Sequence, residues 1–266
     1  MKLLLICTLL YATILGTSAQ QASNPESLLQ LEYEVFSNGD LLLKNQLLFN
    51  KYVNYKSQKN FVDAYKTLYR MDELSMSDSL KFAYLYEFAL INYLNNNFAE
   101  SDLALQKLFS FFKDDKRLNG VLQLAVLVNN ENGHWMQAKE FFKQFSTTRK
   151  LNYNVDSLYE IVLKYKAKNV KTAMRLSTFA PGSGQFYAGE RLHGILNASL
   201  ILTGLSWGTY NLFNGYYATA LFSGFFVGYM FYEGGMGYAE TAVLRYNEQF
   251  YSDFKSNVKN IILEIP

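Results

Sequence analysis

A chain of 266 residues with 25 Lys and Arg against 23 Asp and Glu has a formal charge of +2 and no basic footprint for nucleic acid. Half of it is hydrophobic, 17% is aromatic and only three prolines occur, a balance that favours helices and is rich for a protein bathed wholly in water. The single cysteine, Cys7, lies in the first apolar run, so cleavage of that run excludes disulfides, thiolate metal sites and cysteine nucleophiles.

That run begins with Met1-Lys2 and ends at Thr17-Ser18-Ala19, small residues placed for cleavage. It reads as a secretory signal over residues 1–19, with Gln20 opening the mature chain. An uncleaved anchor is the competing reading, which the shortness of the run disfavours.

Residues 24–170 show helical periodicity without strand alternation and read as one helical-repeat domain. Asn60-Phe61-x-x-Ala64-x-x-x-Leu68 returns 37 residues later as Asn97-Phe98-x-x-Ser101-x-x-x-Leu105, and again as His134-Trp135-x-x-Ala138-x-x-x-Phe142. Upstream, Leu48, Leu85 and Leu122 fall in register, as do Tyr52, Ala89 and Val126. Each unit is therefore expected to be a helix, a polar turn and a second helix. A small residue one turn into the second helix lets the pair approach. Phe61, Phe98 and Trp135 are expected buried in equivalent joints between units. Flanking helices are expected near 26–37 and 155–169, and an irregular bundle with an accidental echo is the alternative.

On these residues the chain resembles the tetratricopeptide-repeat superfamily over roughly residues 40–146. Gly133-His134-Trp135-x-x-Ala138 is similar to that family's glycine–aromatic–alanine entry into the second helix. The period of 37 exceeds the family's 34, two of three units lack the turn glycine, and none ends in the family's proline. The resemblance implies stacked antiparallel helix pairs with a groove for a protein or peptide partner.

Residues 171–191 read as an interfacial segment. Lys164, Lys166, Lys168, Lys171 and Arg175 gather at its start, placed to meet anionic head groups. Pro181 should end a helix, Gly182 and Gly184 permit close backbone approach, and Phe186 and Tyr187 suit an interface. Pro181, Gly182, Gly184, Gln185 and Tyr187 resemble the Pro-Gly-x-Gly-Gln-x-Tyr motif of a family of uncharacterised bacterial membrane proteins, in which it precedes a transmembrane hairpin. Phe186-Tyr187-Ala188-Gly189 and Gly194-Ile195 resemble a second, small two-helix membrane domain, at a poorer spacing. Neither resemblance implies a reaction.

Residues 192–236 read as a two-helix transmembrane hairpin. From Leu192 to Tyr232 there is no Asp, Glu, Lys or Arg, and Asn214-Gly215 supplies the turn. Gly204 and Gly208 on the first leg, and Gly224 and Gly228 on the second, are spaced four apart for close packing in lipid. Asn197, Thr203, Ser206 and Asn211 make the first leg modestly polar and leave a buried soluble hairpin as the alternative. Residues 237–266 read as an amphipathic C-terminal helix, Ala239, Val243, Tyr246 and Phe250 opposing Glu240, Arg245, Glu248 and Asp253.

No HExxH, phosphate loop, nucleophile elbow or acidic calcium loop occurs, so no catalytic, cofactor-binding or metal-ligating residue is assigned and an enzyme is not expected. Glu190, Arg191 and His193 read as a charged border. The expected fold is all-α, a repeat domain followed by a membrane hairpin. The expected function is a non-catalytic, membrane-tethered scaffold of the bacterial cell envelope, contacting lipid and a protein or peptide partner. The alternative is an oligomerising hairpin subunit of a transport or envelope-assembly complex, with the chain as a homo-oligomer. The export signal places the repeats on the periplasmic side of a two-pass inner-membrane protein, whereas the cations before the hairpin favour the opposite orientation. The signal is the stronger determinant, because a long domain follows its export segment whatever the charge of later loops.

Overall fold

The computed structural model describes residues 25–265, so the expected signal at 1–19 and Cys7 lie outside them. Among the described residues all regular structure is helical and no strand occurs. They divide into two compact units, one running to Leu163 and resuming at Asn257, the other Lys164–Ser256.

In the first unit α1 (Pro25–Ser37) packs on α2 (Leu41–Ser57). Helix pairs follow: α2 with α3 (Phe61–Tyr69), α4 (Asp78–Leu94) with α5 (Phe98–Phe111), and α6 (Leu122–Glu131) with α7 (Trp135–Thr148). Helix α8 (Val155–Leu163) closes the series against α7. The 37-residue register is an interior register. Leu48, Leu85, Leu122, Tyr52, Ala89 and Val126 are all buried, and so are Ala64, Ser101 and Ala138 one turn into each second helix. The one serine among those three donates from Oγ to Ala89 O of the facing helix (2.7 Å), which removes the cost of an unpaired buried hydroxyl.

The turns repeat as faithfully. Lys59, Asn96 and Gly133 all adopt left-handed backbone, with φ of 61°, 61° and 75°. The next amide in each unit, Asn60, Asn97 and His134, donates to a carbonyl five residues back. Two units therefore hold the turn without the glycine that ordinarily relieves it, at a cost of about 1–2 kcal/mol each. Successive units are stapled by side-chain amides. Asn95 Nδ2 donates to Phe61 O (3.3 Å), and Asn132 Nδ2, 37 residues on, donates to Phe98 O (3.0 Å).

One expectation is corrected here. Phe61, Phe98 and Trp135 are in equivalent places, each the first residue of a second helix, but they are only half-buried. A residue at a helix start sits at the rim of the pair, so the deep positions fall to Ala64, Ser101 and Ala138 and, a turn further, to Leu68, Leu105 and Phe142. A buried charge also joins the first two pairs. Glu87 of α4 accepts from Tyr52 Oη (2.5 Å) and takes Lys56 Nζ on both carboxylate oxygens (2.8 and 2.6 Å).

In the second unit α9 (Val170–Phe179) ends before Pro181, and the short α10 (Ser183–Ala188) leads into α11 (Arg191–Phe213). After Asn214-Gly215 the chain makes one helical turn (Tyr217–Thr219), a wider π-helical stretch (Ala220–Phe225), and then α12 (Phe226–Glu264). Two expectations change. No separate helix begins at 237, because α12 runs through Gly234-Gly235 unbroken; interior glycine costs a helix only about 1 kcal/mol, and Gly235 gains a close neighbour in Asn197. And no helix among the described residues is long and apolar enough to cross a membrane. Helix α11 has 23 residues, but Asn197, Ser199, Thr203, Ser206, Thr209 and Asn211 dilute its apolar character, while α12 meets a charge at Glu233. The segment expected as a two-pass transmembrane hairpin is thus a helical hairpin, neither of whose legs meets that requirement.

Candidate functional site

The hairpin legs meet backbone to backbone. A Cβ added to Gly204 would lie 2.9 Å from Gly228 Cα and 3.1 Å from Gly224 O. One added to Gly224 would lie 2.6 Å from Gly208 N, and one on Gly208 would strike the Phe225 ring at 2.8 Å. Gly228 is the loosest of the four, its nearest neighbour Ile201 O at 3.6 Å. The structure brings Gly204, Gly208, Gly224 and Gly228 into one seam, in which a side chain on Gly204, Gly208 or Gly224 would force a neighbour to shift.

At the root of the hairpin the Pro-Gly-Ser-Gly-Gln stretch forms a second close-packed joint. Gly182 has φ of 89°, and its missing side chain leaves room for Gly194 O and the Ala198 methyl. Gly184 faces Ala173 O, Ser177 Oγ and Ala239, whose methyl would stand 2.8 Å from an added Cβ. Gln185 is fully buried and donates from Nε2 to Gly235 O of α12 (2.7 Å). Ser177 Oγ donates to Gln185 Oε1 (3.4 Å) and accepts from Gly184 N (3.1 Å). Tyr187 is half-buried, its hydroxyl accepting from Asn169 N (3.1 Å), and Pro181 is half-buried at the turn. Thus α9, α10, α11 and α12 converge on small residues, with Ala173, Ala188, Ala239, Ala242 and Val243 as the core.

Sequence reasoning missed Gly235 and Asn247, and read Asn197 only as a polar residue of the first leg and not as the neighbour of Gly235. Asn247 fixes the entry to this unit, accepting on Oδ1 from Tyr165 Oη (2.9 Å) and Lys168 N (2.9 Å) and donating to Lys168 O (2.9 Å). Phe250 stacks on Tyr165 at 3.6 Å between ring centroids. Nothing local in the sequence marks these pairs, which are about 80 residues apart.

The outside of the hairpin is the reverse of its seam. Leu192, Ile195, Leu196, Leu200, Leu202, Phe213, Phe222, Phe226 and Met230 are all exposed. The polar groups of the legs are largely occupied locally. Thr203 and Thr209 donate to carbonyls four residues back (both 2.8 Å), Asn211 Nδ2 donates to Trp207 O (2.9 Å), and Trp207 Nε1 donates across to Ser223 Oγ (3.2 Å). Such bonding lowers the cost of placing hydroxyls and amides away from water.

Of the five cations before the hairpin, Lys164, Lys166, Lys171 and Arg175 are exposed, whereas Lys168 lies 3.5 Å above the Tyr246 ring. Glu190 meets His193 Nδ1 (3.0 Å) and Arg245 (3.5 Å), and His193 stacks on Tyr238. The members of that cluster are paired to one another. No group of three or more metal-ligating side chains occurs among the described residues. The chain matches no family model, no curated protein and no solved structure.

Proposed function

We propose that this protein is a non-catalytic, membrane-tethered helical-repeat scaffold of the bacterial cell envelope. The hairpin fixes it to lipid, and the repeat array engages a protein or peptide partner. The single observation carrying this reading is the inverted hairpin: glycines inside the seam, and Leu, Ile, Phe and Met exposed along a stretch with no charged residue. An apolar surface of that extent is unstable in water and is stabilised by acyl chains or by another apolar surface. Embedding without crossing suits legs whose mean hydropathy falls short of a spanning helix. The exposed Lys171 and Arg175 supply attraction to anionic head groups, about 1 kcal/mol per cation close to a charged leaflet.

Flotation of the purified full chain with anionic and neutral vesicles tests it. The expected outcome is flotation with both, stronger with the anionic ones and only for that increment sensitive to salt. A chain that stays monomeric in detergent-free buffer and sediments away from vesicles overturns the tether. A defined oligomer that ignores vesicles would establish the competing role, in which copies of the hairpin cover one another.

A further inference from the structure

The dipeptide Asn-Gly occurs at four places, 38–39, 119–120, 132–133 and 214–215. A glycine nitrogen carries no Cβ beside it, so it is the backbone nucleophile least screened from the side-chain amide before it. The fold treats the four pairs differently. Asn119 lies inside the 3-10 helix Lys116–Gly120, and Val121 N donates to Leu118 O (2.9 Å) directly after it. At Asn132 the Gly133 amide donates to Asn130 O (3.1 Å), while Asn132 Nδ2 donates to Phe98 O (3.0 Å). At Asn214 the Gly215 amide donates to Leu212 O (3.2 Å), and Asn214 Nδ2 to Tyr210 O (2.7 Å). In these last two pairs the backbone nitrogen and the side-chain amide are both already engaged.

Asn38-Gly39 is the exception. It lies in the irregular link between α1 and α2, where Gly39 is exposed and its amide is bonded to none of the described residues. Asp40 N donates to Asn38 Oδ1 (3.0 Å). That bond closes a small ring to which Asn38 Cγ and Gly39 N both belong, so electrophile and nucleophile are held on one turn. It also polarises the side-chain carbonyl, because a donor already faces the oxygen on which charge develops. The turn does not need glycine for its shape. Gly133 and Gly215 have φ of 75° and 77°, whereas Gly39 has no positive φ and has open space where a Cβ would stand.

We infer that Asn38 is a site of self-modification, converted to an aspartyl or isoaspartyl residue by the amide nitrogen of Gly39. Gly39 N gives up its proton to hydroxide or water and attacks Cγ of Asn38. The Cγ–Nδ2 bond breaks, Nδ2 takes a proton from water and leaves as ammonia, and a cyclic imide remains. Water then opens that ring. Cleavage at Cγ restores the ordinary backbone with an aspartate. Cleavage at the backbone carbonyl carbon routes the chain through the side chain and adds a carbon to the α1–α2 link. Either product sets a new carboxylate shortly before Asp40, whose own side chain caps α2 by accepting from Leu42 N (2.9 Å).

The test is ageing of the purified full chain in detergent at mildly alkaline pH. Peptide mapping by mass spectrometry then separates the asparaginyl, aspartyl and isoaspartyl forms at all four pairs. Asn38 is expected to convert about tenfold faster than Asn119, Asn132 or Asn214, and faster still as the pH rises. In denaturant, where the four share one dipeptide and no fold, the rates are expected to draw together. Gly39→Ala, which the open space admits, is expected to keep the parent's melting temperature and to slow conversion of Asn38 by about tenfold, because a Cβ beside the attacking nitrogen hinders its approach. The proposal is overturned if Asn38 converts no faster than the other three in the folded chain, if its lead persists undiminished in denaturant, or if Gly39→Ala leaves its rate unaltered.

Discussion

The repeat array and the hairpin are both helical, yet they hold their helices together in opposite ways. In the array the interior is made of large side chains, Tyr52, Phe142, Tyr159 and Leu68 among those with no exposed surface; Lys59 and Glu100 stay outside, and Glu87 is buried with Tyr52 and Lys56 paired to it. Burial from water drives that arrangement. In the hairpin the interior is glycine backbone, and the large apolar side chains are outside. Removing apolar surface from water does not account for this second pattern; on the function proposed above, close main-chain packing among acyl chains does.

The contrast can be broken most forcefully in the array. Phe142→Ala removes a fully buried ring and should cost about 3–5 kcal/mol, read as a lower denaturation midpoint of the array. Trp135→Ala, which shares the 37-residue register with less burial, should cost clearly less; an equal cost would mean that the half-buried rings carry the joints after all.

In the hairpin the sign reverses, and adding atoms is what damages. Gly224→Leu should destabilise by about 1–3 kcal/mol or more and open the legs to protease, because Gly208 leaves no room for a side chain. Protease resistance equal to the parent's would end the case for a backbone seam. A glycine outside the seam supplies the contrast. Gly234, with open space where a methyl would stand, should gain about 0.5–1 kcal/mol on replacement by alanine, measured as a higher hairpin melting temperature.

The smallest effect is a pH dependence confined to the array. Hydrogen bonds from Arg70 and from Lys51, outweighing the opposing effect of burial, pull the Glu32 carboxyl from about 4.5 down to about 2. A depressed folded-state value means that this group's stabilisation is complete above the unfolded value and disappears as the pH falls from about 4.5 towards 2. Glu32→Gln should therefore flatten the acid limb of the melting curve in that window and leave the curve above about pH 6 unchanged in slope. Because the carboxylate is 39% exposed, solvent screens the pair and the effect should be modest.

Much of this molecule was legible in the order of its residues. The all-helical class followed from the scarcity of proline and the helical periodicity, and the 37-residue register followed from Ala64, Ser101 and Ala138, because identical local geometry demands a small residue at each helix approach. The hairpin's length, its turn at Asn214-Gly215 and the spacing of its glycines are likewise local properties that a sequence carries openly. Tertiary structure decided the rest. It kept Lys59 and Asn96 in a left-handed turn without glycine, since the paired helices on either side outweigh the strain. It carried α12 unbroken through Gly234-Gly235, where sequence expects a break, and set Asn197 where a side chain on Gly235 would stand. And it seated Ile262 against Gln123, whose side-chain amide donates to the Ile262 carbonyl from 139 residues away, a pairing that no local pattern encodes.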